Sequence, residues 1–329
     1  MRYAAKPRQM DVRSHDMGTA LQLETVATPY GTITNVHVLS RWPGGAPQDC
    51  RLLAEDTVPT PHGWLTPHHD PEDVRRSGVK SFSLYPNGMW RSLELQNQTA
   101  VSTPLGDMPA EWLAWHGNGA LKRILLRKGK LSGYWTEEDE RKLASQIPLS
   151  LHGQEVSAKV QGLRFYPSGV LESVTFWPGE TIRLVTPLGA MPVRYGCAFY
   201  ENGALRSCEP ARPVHVPTSI GQIAAFDPIA SAICGDINSL CFGVDGAVSS
   251  IVTAACSLRW QQGREQKCMS PRMEKDQLTM LRTVVVPLRV EFLPNGLVRM
   301  DDGKQVMQAP AQGMTIGHFV ALPDMREGI

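Results

Sequence analysis

Six segments share one short pattern, and this pattern constrains the fold more than any other feature of the chain. In each segment two apolar residues, separated by one other residue, precede a turn that ends in glycine, and a further apolar residue follows the glycine by two positions. The turn glycines are Gly88, Gly119, Gly169, Gly203, Gly246 and Gly296. Apolar residues two apart are typical of a half-buried strand. A hairpin that recurs this often predicts a repeated antiparallel β structure for the whole chain.

Three positions of each unit are always apolar, and we expect them to form the core. Counted from the turn glycine they are −6, −4 and +2: Phe82, Leu84 and Trp90; Leu113, Trp115 and Leu121; Leu163, Phe165 and Leu171; Cys197, Phe199 and Leu205; Leu240, Phe242 and Val248; Val290, Phe292 and Val298. Cys197 is therefore interpreted as a small buried hydrophobe rather than a ligand. The side chain at position −5 would point to the opposite face. The residues there are Ser83, Ala114, Arg164, Ala198, Cys241 and Glu291. Of these, only Cys241 is expected to favour burial.

The turns have the residues that hairpins need. In Tyr-Pro-Asn-Gly at 85–88, proline suits the first central position of a type I turn, asparagine tolerates the second, and glycine takes the left-handed conformation that follows. A second turn pattern, Thr-Pro-x-Gly, occurs at 28–31, 60–63, 103–106 and 186–189, with a weaker copy ending at Gly221. We interpret these as the opposite turns of the same meander.

A longer repeat underlies the short one. Gly31, Gly45, Gly63 and Gly88 are separated by 14, 18 and 25 residues, and the same intervals recur 158 residues later. That second set is Gly189, Gly203, Gly221 and Gly246.

The chain is therefore predicted to be all-β, an antiparallel hairpin meander in two related lobes, 1–157 and 158–329. One or two short helices are also predicted, the first capped by Thr136 and ending before Pro148, the second running from Ser270 and Pro271 to about Arg282.

Composition narrows the class of protein. The 329 residues are 42% hydrophobic and 20% charged, which is typical of a folded chain with a real core. The net charge of +1 gives no long-range field that favours nucleic acid or anionic lipid. No stretch approaches the roughly 20 apolar residues that a transmembrane segment needs, and the first residues lack the apolar core of a secretory signal. Seven cysteines without a CxxC pair predict reduced thiols and a cytoplasmic location.

The units resemble the MORN-type repeat family, in particular its bacterial variant with a Tyr-x-Asn-Gly-x-Leu-x-Ser core. The segments that carry this resemblance are 84–92, 165–173 and 199–207. The resemblance implies a sheet of consecutive hairpins that serves as a platform for proteins or membranes. It implies no catalytic residue.

The motifs that mark common catalytic and nucleotide-binding sites are missing from the sequence, including GxxxxGK[ST], GxSxG and HExxH. We therefore assign no catalytic, cofactor-binding or metal-binding residue. The leading hypothesis is a non-catalytic binding or scaffold protein with a protein partner, or one that self-associates through its sheet edges.

Two alternatives remain open. A loop with His62, His68, His69 and Asp70 could supply metal ligands for a hydrolase, although its prolines and adjacent histidines equally suit a solvated loop. Trp112 falls on the face opposite the core, beside Ala114 and His116, where an exposed ring could stack on a glycan.

A basic run follows the second unit. It comprises Lys122, Arg123, Arg127, Lys128 and Lys130. We interpret it as a solvated face whose charge the acids at 137–140 offset, so nucleic acid is not an expected partner.

Overall fold

The computed structural model describes residues 22–69, 80–128, 136–231, 235–275 and 283–320. Within them the chain forms 27 strands and one helix. The strands are β1 (Leu23–Thr28), β2 (Gly31–Arg41), β3 (Pro47–Leu52), β4 (Val58–Thr60), β5 (Gly63–Leu65), β6 (Phe82–Leu84), β7 (Trp90–Thr103), β8 (Gly106–Trp115), β9 (Leu121–Leu125), β10 (Gln146–Leu151), β11 (Gln154–Phe165), β12 (Leu171–Phe176), β13 (Thr181–Thr186), β14 (Gly189–Phe199), β15 (Leu205–Pro210), β16 (Val214–Thr218), β17 (Gly221–Ala225), β18 (Leu240–Phe242), β19 (Val248–Thr253), β20 (Cys256–Gln262), β21 (Glu265–Met269), β22 (Arg272–Lys275), β23 (Thr283–Val286), β24 (Leu288–Phe292), β25 (Leu297–Asp301), β26 (Val306–Pro310) and β27 (Thr315–His318). The helix is α1 (Glu137–Leu143).

One antiparallel sheet of 18 strands organises the molecule. Its neighbouring strands, in spatial order, are β1, β2, β3, β6, β7, β8, β9, β11, β12, β14, β15, β18, β19, β24, β25 and β26. Strands β10 and β13 pair with the first halves of β11 and β14. The spatial order follows the chain order, so the predicted all-β hairpin meander is confirmed.

A single row of apolar residues runs across this sheet in register and forms its buried face. The row is Val38, Cys50, Phe82, Leu93, Leu113, Ile124, Leu163, Val174, Cys197, Cys208, Leu240, Ile251, Val290, Met300 and Met307. Fifteen of the 18 predicted core residues are buried, and Leu205, Val248 and Phe292 pack against the core while partly exposed. The core prediction is therefore confirmed, including Cys197 as a buried hydrophobe.

The opposite face, here called the outer face, carries a second row in register. It is Ser40, Asp49, Ser83, Ser92, Ala114, Arg123, Arg164, Ser173, Ala198, Ser207, Cys241, Ser250, Glu291, Arg299 and Gln308. Its members are small, polar or charged, as the alternation predicts. Several are nevertheless buried, which differs from the sequence expectation: Ser83, Ala114 and Ala198 are under 10% exposed, whereas Cys241 is only half-buried.

A chain segment that crosses the outer face covers part of this row. The Asn238 amide donates a hydrogen bond of 2.8 Å to the Ser207 hydroxyl oxygen. Gly235 packs so closely on the sheet that a Cβ on it would lie 2.0 Å from the Val174 carbonyl oxygen. Long-range coverage of this kind leaves no periodic signal in the strand sequence.

Both predicted turn types are present. The six repeat glycines have φ between 75° and 87°, the left-handed conformation that glycine adopts without strain. The Thr-Pro-x-Gly segments are two-residue hairpin turns that join β1 to β2, β4 to β5, β7 to β8 and β13 to β14, and the weaker copy joins β16 to β17. In all five the threonine hydroxyl donates to the glycine carbonyl at 2.6 to 2.8 Å.

The offset of 158 residues is also visible in three dimensions. The turn at Gly88 packs against the hairpin tip at Pro29, and the turn at Gly246 packs against the tip at Pro187. Residue 157 itself lies within β11, and the division into domains 1–157 and 158–329 remains a prediction.

Side chains at position −3 of four units, and Trp42 at the same distance before Gly45, donate hydrogen bonds to the main-chain oxygen at position −4 of the unit that follows. The five links are Trp42 Nε1 to Leu84 O, Tyr85 OH to Trp115 O, His116 Nε2 to Phe165 O, Tyr166 OH to Phe199 O and Tyr200 OH to Phe242 O, at 2.8 to 3.1 Å. Because a carbonyl oxygen only accepts, the His116 ring carries its proton on Nε2. The links join the first five units into one continuous ladder, which ends there because position −3 of the fifth unit is Gly243.

The first predicted helix is confirmed and the second is wrong. Helix α1 begins after Thr136 with a capping box, in which the Asp139 amide donates to the Thr136 hydroxyl oxygen at 3.3 Å and the Thr136 amide donates to the Asp139 carboxylate at 3.0 Å. Residues 272–275 of the second form strand β22, because the Val-rich strand β23 pairs with them. Residues 276–282 lie outside the described part of the chain.

The described helix has seven residues and falls well short of the length and apolarity that a membrane span requires.

Candidate binding groove on the outer face

The outer face contains a groove where β6 to β9 meet β11. We call this the outer groove, a cavity of about 550 Å³. Ser92 and Ala114 are neighbours in the outer row and lie between longer side chains. Their small size leaves room above the sheet, and that room is the groove.

Six cationic side chains line the outer groove. They are Lys80, Arg91, Lys122, Arg123, Lys128 and Arg164. The described lining residues include no carboxylate and no histidine; the others are Tyr85, Ser92, Trp112, Ala114, Trp115 and Leu125. The groove therefore has a strongly positive lining on a chain whose net charge is only +1.

Three of the six cations have carboxylate partners at the groove margin. Lys80 Nζ is 2.5 Å from an Asp49 oxygen, and Lys128 forms an ion pair with the buried Glu94. Arg164 lies 2.6 Å from an Asp236 oxygen and 3.7 Å from one of Glu172. These pairs fix the side chains of the groove wall.

The other three cations have no carboxylate partner among the described residues. Within the described residues, no carboxylate oxygen lies within 4.0 Å of a basic nitrogen of Arg91, Lys122 or Arg123. The Arg91 guanidinium lies 5.7 Å from the centre of the Trp42 ring. Arg123 is also directly opposite Arg164 on the neighbouring strand, and like charges in that position destabilise a sheet. The groove thus has a local excess of positive charge.

β-bulges aim two of these cations at the groove. Leu84 pairs with Trp90 and Ser83 pairs with Ser92, so Arg91 is the extra residue of a bulge. The next unit repeats this arrangement at Lys122, between two residues that pair with β8. A bulge re-aims a side chain, so both cations point to the outer face beside Arg123.

The aromatic wall includes the residue singled out from the sequence. Trp112 lies on the outer face and is partly exposed, as predicted, and its ring lies 5.7 Å from Lys128 Nζ. Trp90 and Trp115, predicted to be core residues, are 1% and 0% exposed. Tyr85 lines the groove on the side of the turns.

The basic run does not behave as expected from the sequence. Lys122, Arg123 and Lys128 line the groove, while Arg127 lies 3.6 Å from the buried Glu111. Lys130 lies outside the described residues. Two of the acids expected to offset the run instead form ion pairs within α1, Glu138 with Arg141 at 2.8 Å and Asp139 with Lys142 at 3.4 Å.

The histidines proposed as metal ligands have separate environments. His62 lies against Trp115, with ring centres 6.0 Å apart, and burial lowers its pKa. His68 Nδ1 is 3.1 Å from the Gln96 side-chain oxygen, and His69 Nδ1 is 3.2 Å from the Pro67 carbonyl. Asp70 lies outside the described residues. Among those described, no three His, Cys, Asp or Glu side chains are grouped closely enough to hold a metal ion.

A second cavity of about 350 Å³ contains a buried acid that no sequence pattern indicated. One Glu209 oxygen accepts hydrogen bonds from the Ser239 amide at 2.8 Å and the Ser239 hydroxyl at 2.5 Å. The other lies 3.7 Å from Arg194. Burial raises the pKa of Glu209 above its ordinary value of 4.5.

Sequence reasoning missed Lys80 and Arg91 as groove residues and gave Arg164 no role beyond its place at position −5. Arg91 and Arg164 share a signal in the strand register, since each lies on, or next to, the outer row, and Lys80 joins them through its ion pair with Asp49 of that row. Such a row can be found only after the strands have been paired.

Comparison with known proteins found no match to this chain among family models, curated proteins or solved structures. The resemblance of the repeat units to the MORN-type family therefore rests on the motif alone.

Proposed function

We propose that this chain is a non-catalytic binding protein that holds an acidic protein partner in the outer groove. The observation that carries the proposal is a set of three cations, Arg91, Lys122 and Arg123, that have no carboxylate partner among the described residues and lie beside the partly exposed Trp112. Positive charge without a local counter-ion favours an anionic partner, and it mainly increases the association rate and specificity. An aromatic ring and arginines are the side chains that most often anchor protein interfaces.

The groove is suited to binding rather than chemistry. Its described lining has one aliphatic hydroxyl, Ser92, and no histidine or carboxylate that could act as its base. The neighbouring ladder of hydrogen bonds between units supports a rigid platform, which is also what the MORN resemblance implies.

We also propose that the protein resides in a reducing, cytoplasmic compartment. Cys197 and Cys208 are directly opposite each other on β14 and β15 and are free thiols. Burial raises the pKa of Cys197 to about 12, so this pair suits a cell compartment where thiols stay reduced.

The test is fluorescence anisotropy with a labelled oligoglutamate peptide. We expect saturable binding that weakens with salt and falls at least about tenfold in Arg123→Glu, since the variant replaces attraction with repulsion. Arg264→Glu is the matched control, because Arg264 is exposed in the β20–β21 turn and the net charge changes equally. Equal loss in both variants, or no binding by the wild type, would contradict the proposal.

A further inference from the structure

We propose that Arg123, together with Lys122 and Arg164, forms a subsite that takes a phosphorylated side chain of the acidic partner. This inference rests on the proposed function and specifies the chemical group that the groove recognises. It starts from one pairing, the direct opposition of Arg123 and Arg164 on β9 and β11.

The two arginines differ in how they are held. Arg164 is fixed by Asp236 and by Glu172, which also lies 3.7 Å from Arg206, so the charge of Arg164 is already balanced. Arg123 has no carboxylate within 4.0 Å among the described residues, although it is half-buried. Like charges directly opposite each other on neighbouring strands cost folding free energy, and an anion bound beside Arg123 would relieve that cost.

The number of free charges and donors favours a phosphate over a carboxylate. A phosphoryl group carries about −1.5 to −2 charge near neutral pH and three strong acceptor oxygens. Arginine offers five N–H donors in a planar fork that matches such an oxyanion, and lysine adds a point charge. Arg91, Lys122 and Arg123 together supply three positive charges without a carboxylate partner in the described part of the chain, whereas a single carboxylate offers one negative charge and two oxygens.

The surroundings leave room for the group and the chain that bears it. Ala114 lies next to Arg123 in the outer row and has only a methyl side chain. Ser92 follows Ala114 in the same row. These small residues open the groove towards Trp112, where the peptide that carries the phosphate would lie.

The experiment uses fluorescence anisotropy to compare three labelled peptides that differ only at the centre. The central position is serine, phosphoserine, or a Glu-Glu pair that matches the charge of the phosphate. We expect the phosphoserine peptide to bind at least about tenfold more tightly than the Glu-Glu peptide, which reflects stronger charge-assisted hydrogen bonds. Inorganic phosphate should displace it, and sodium chloride of equal ionic strength should displace it less.

Two substitutions test the subsite itself. Arg123→Met keeps an aliphatic stem of similar length and should remove the preference for phosphoserine. Arg123→Lys keeps the charge but loses the fork, so it should retain oligoglutamate binding while losing most of the preference. Arg264→Met is the control and should behave like the wild type.

The outcomes separate the two proposals. Equal affinity for the phosphoserine and Glu-Glu peptides would overturn the phosphate subsite while leaving an acidic partner in place. A preference that persists in Arg123→Met would place the phosphate elsewhere and would also overturn the inference. Failure of all acidic peptides to bind would contradict the proposed function as well.

Discussion

The Tyr166 hydroxyl donates a hydrogen bond of 2.9 Å to the main-chain oxygen of Phe199, and so connects one hairpin unit to the next. Phe199 is 1% exposed, and its carbonyl lies at the end of β14 where the following turn begins. Equivalent bonds occur in four other places along the ladder. We therefore regard the ladder as a structural device of the repeat.

Removal of one such link should have a measurable cost. Tyr166→Phe keeps the ring and removes the donor, so we expect the free energy of unfolding to fall by about 1 kcal/mol, the usual net value of a hydrogen bond. Urea unfolding would measure it. Tyr30→Phe is the control, because the Tyr30 hydroxyl makes no hydrogen bond to a described residue. Equal effects of the two substitutions would show that the ladder bond contributes nothing specific.

Close packing on the outer face should make Gly196 intolerant of a side chain. A methyl group there would lie 2.5 Å from the Gly235 Cα and 2.6 Å from the Val174 carbonyl oxygen. We expect Gly196→Ala to lower the free energy of unfolding by at least about 1–3 kcal/mol through overpacking. Gly44→Ala, with no atom within 4 Å of the added methyl, serves as the control. A thermal melt in which both variants match the wild type would contradict this packing.

The thiols should differ sharply in reactivity. Cys268 is exposed, whereas Cys50 and Cys197 are buried and burial raises the pKa of each to about 12. Because the thiolate is the reactive form, iodoacetamide should label Cys268 in the native protein and reach the other two only after unfolding. Peptide mass spectrometry would locate the label. Native labelling of Cys197 at the rate of Cys268 would contradict the core described here.

The buried Glu209 should reduce stability as the pH rises. Its pKa in the folded protein is raised above 4.5, mainly by burial, so the folded state holds the proton more tightly than the unfolded state does. Between 4.5 and the raised value, stability therefore falls with increasing pH. Glu209→Gln should remove this part of the slope in urea unfolding measured across that pH range. Parallel pH profiles for variant and wild type would show that Glu209 does not contribute.

The sequence predicted the features that depend on local pattern. Period-two alternation and turn chemistry located the hairpins, because strands and tight turns leave short-range signals. The capping pattern at Thr136 located helix α1 for the same reason. Strand β22 was mistaken for a helix because Ser270 and Pro271 precede it, and its pairing with β23 depends on tertiary contacts.

The outer groove could not be predicted from the sequence of any single strand. Trp112, Lys122 and Arg123 could be noticed individually, but their meeting with Arg164 depends on the pairing of β9 with β11, which helix α1 and β10 separate along the chain. The covering of Ser207 by Asn238 is a similar long-range effect. Register across strands that are distant in sequence is set by packing of the whole sheet.

The most direct test of an acidic partner in the outer groove is an NMR titration that follows the tryptophan indole N–H signals. The chain has eight tryptophans, of which Trp112 lines the groove and Trp64, 70% exposed, lies on the β5 hairpin. Addition of oligoglutamate should shift the Trp112 signal, assigned through Trp112→Phe, and leave the Trp64 signal in place. A shift at Trp64 without one at Trp112, or no shift at all, would contradict the account.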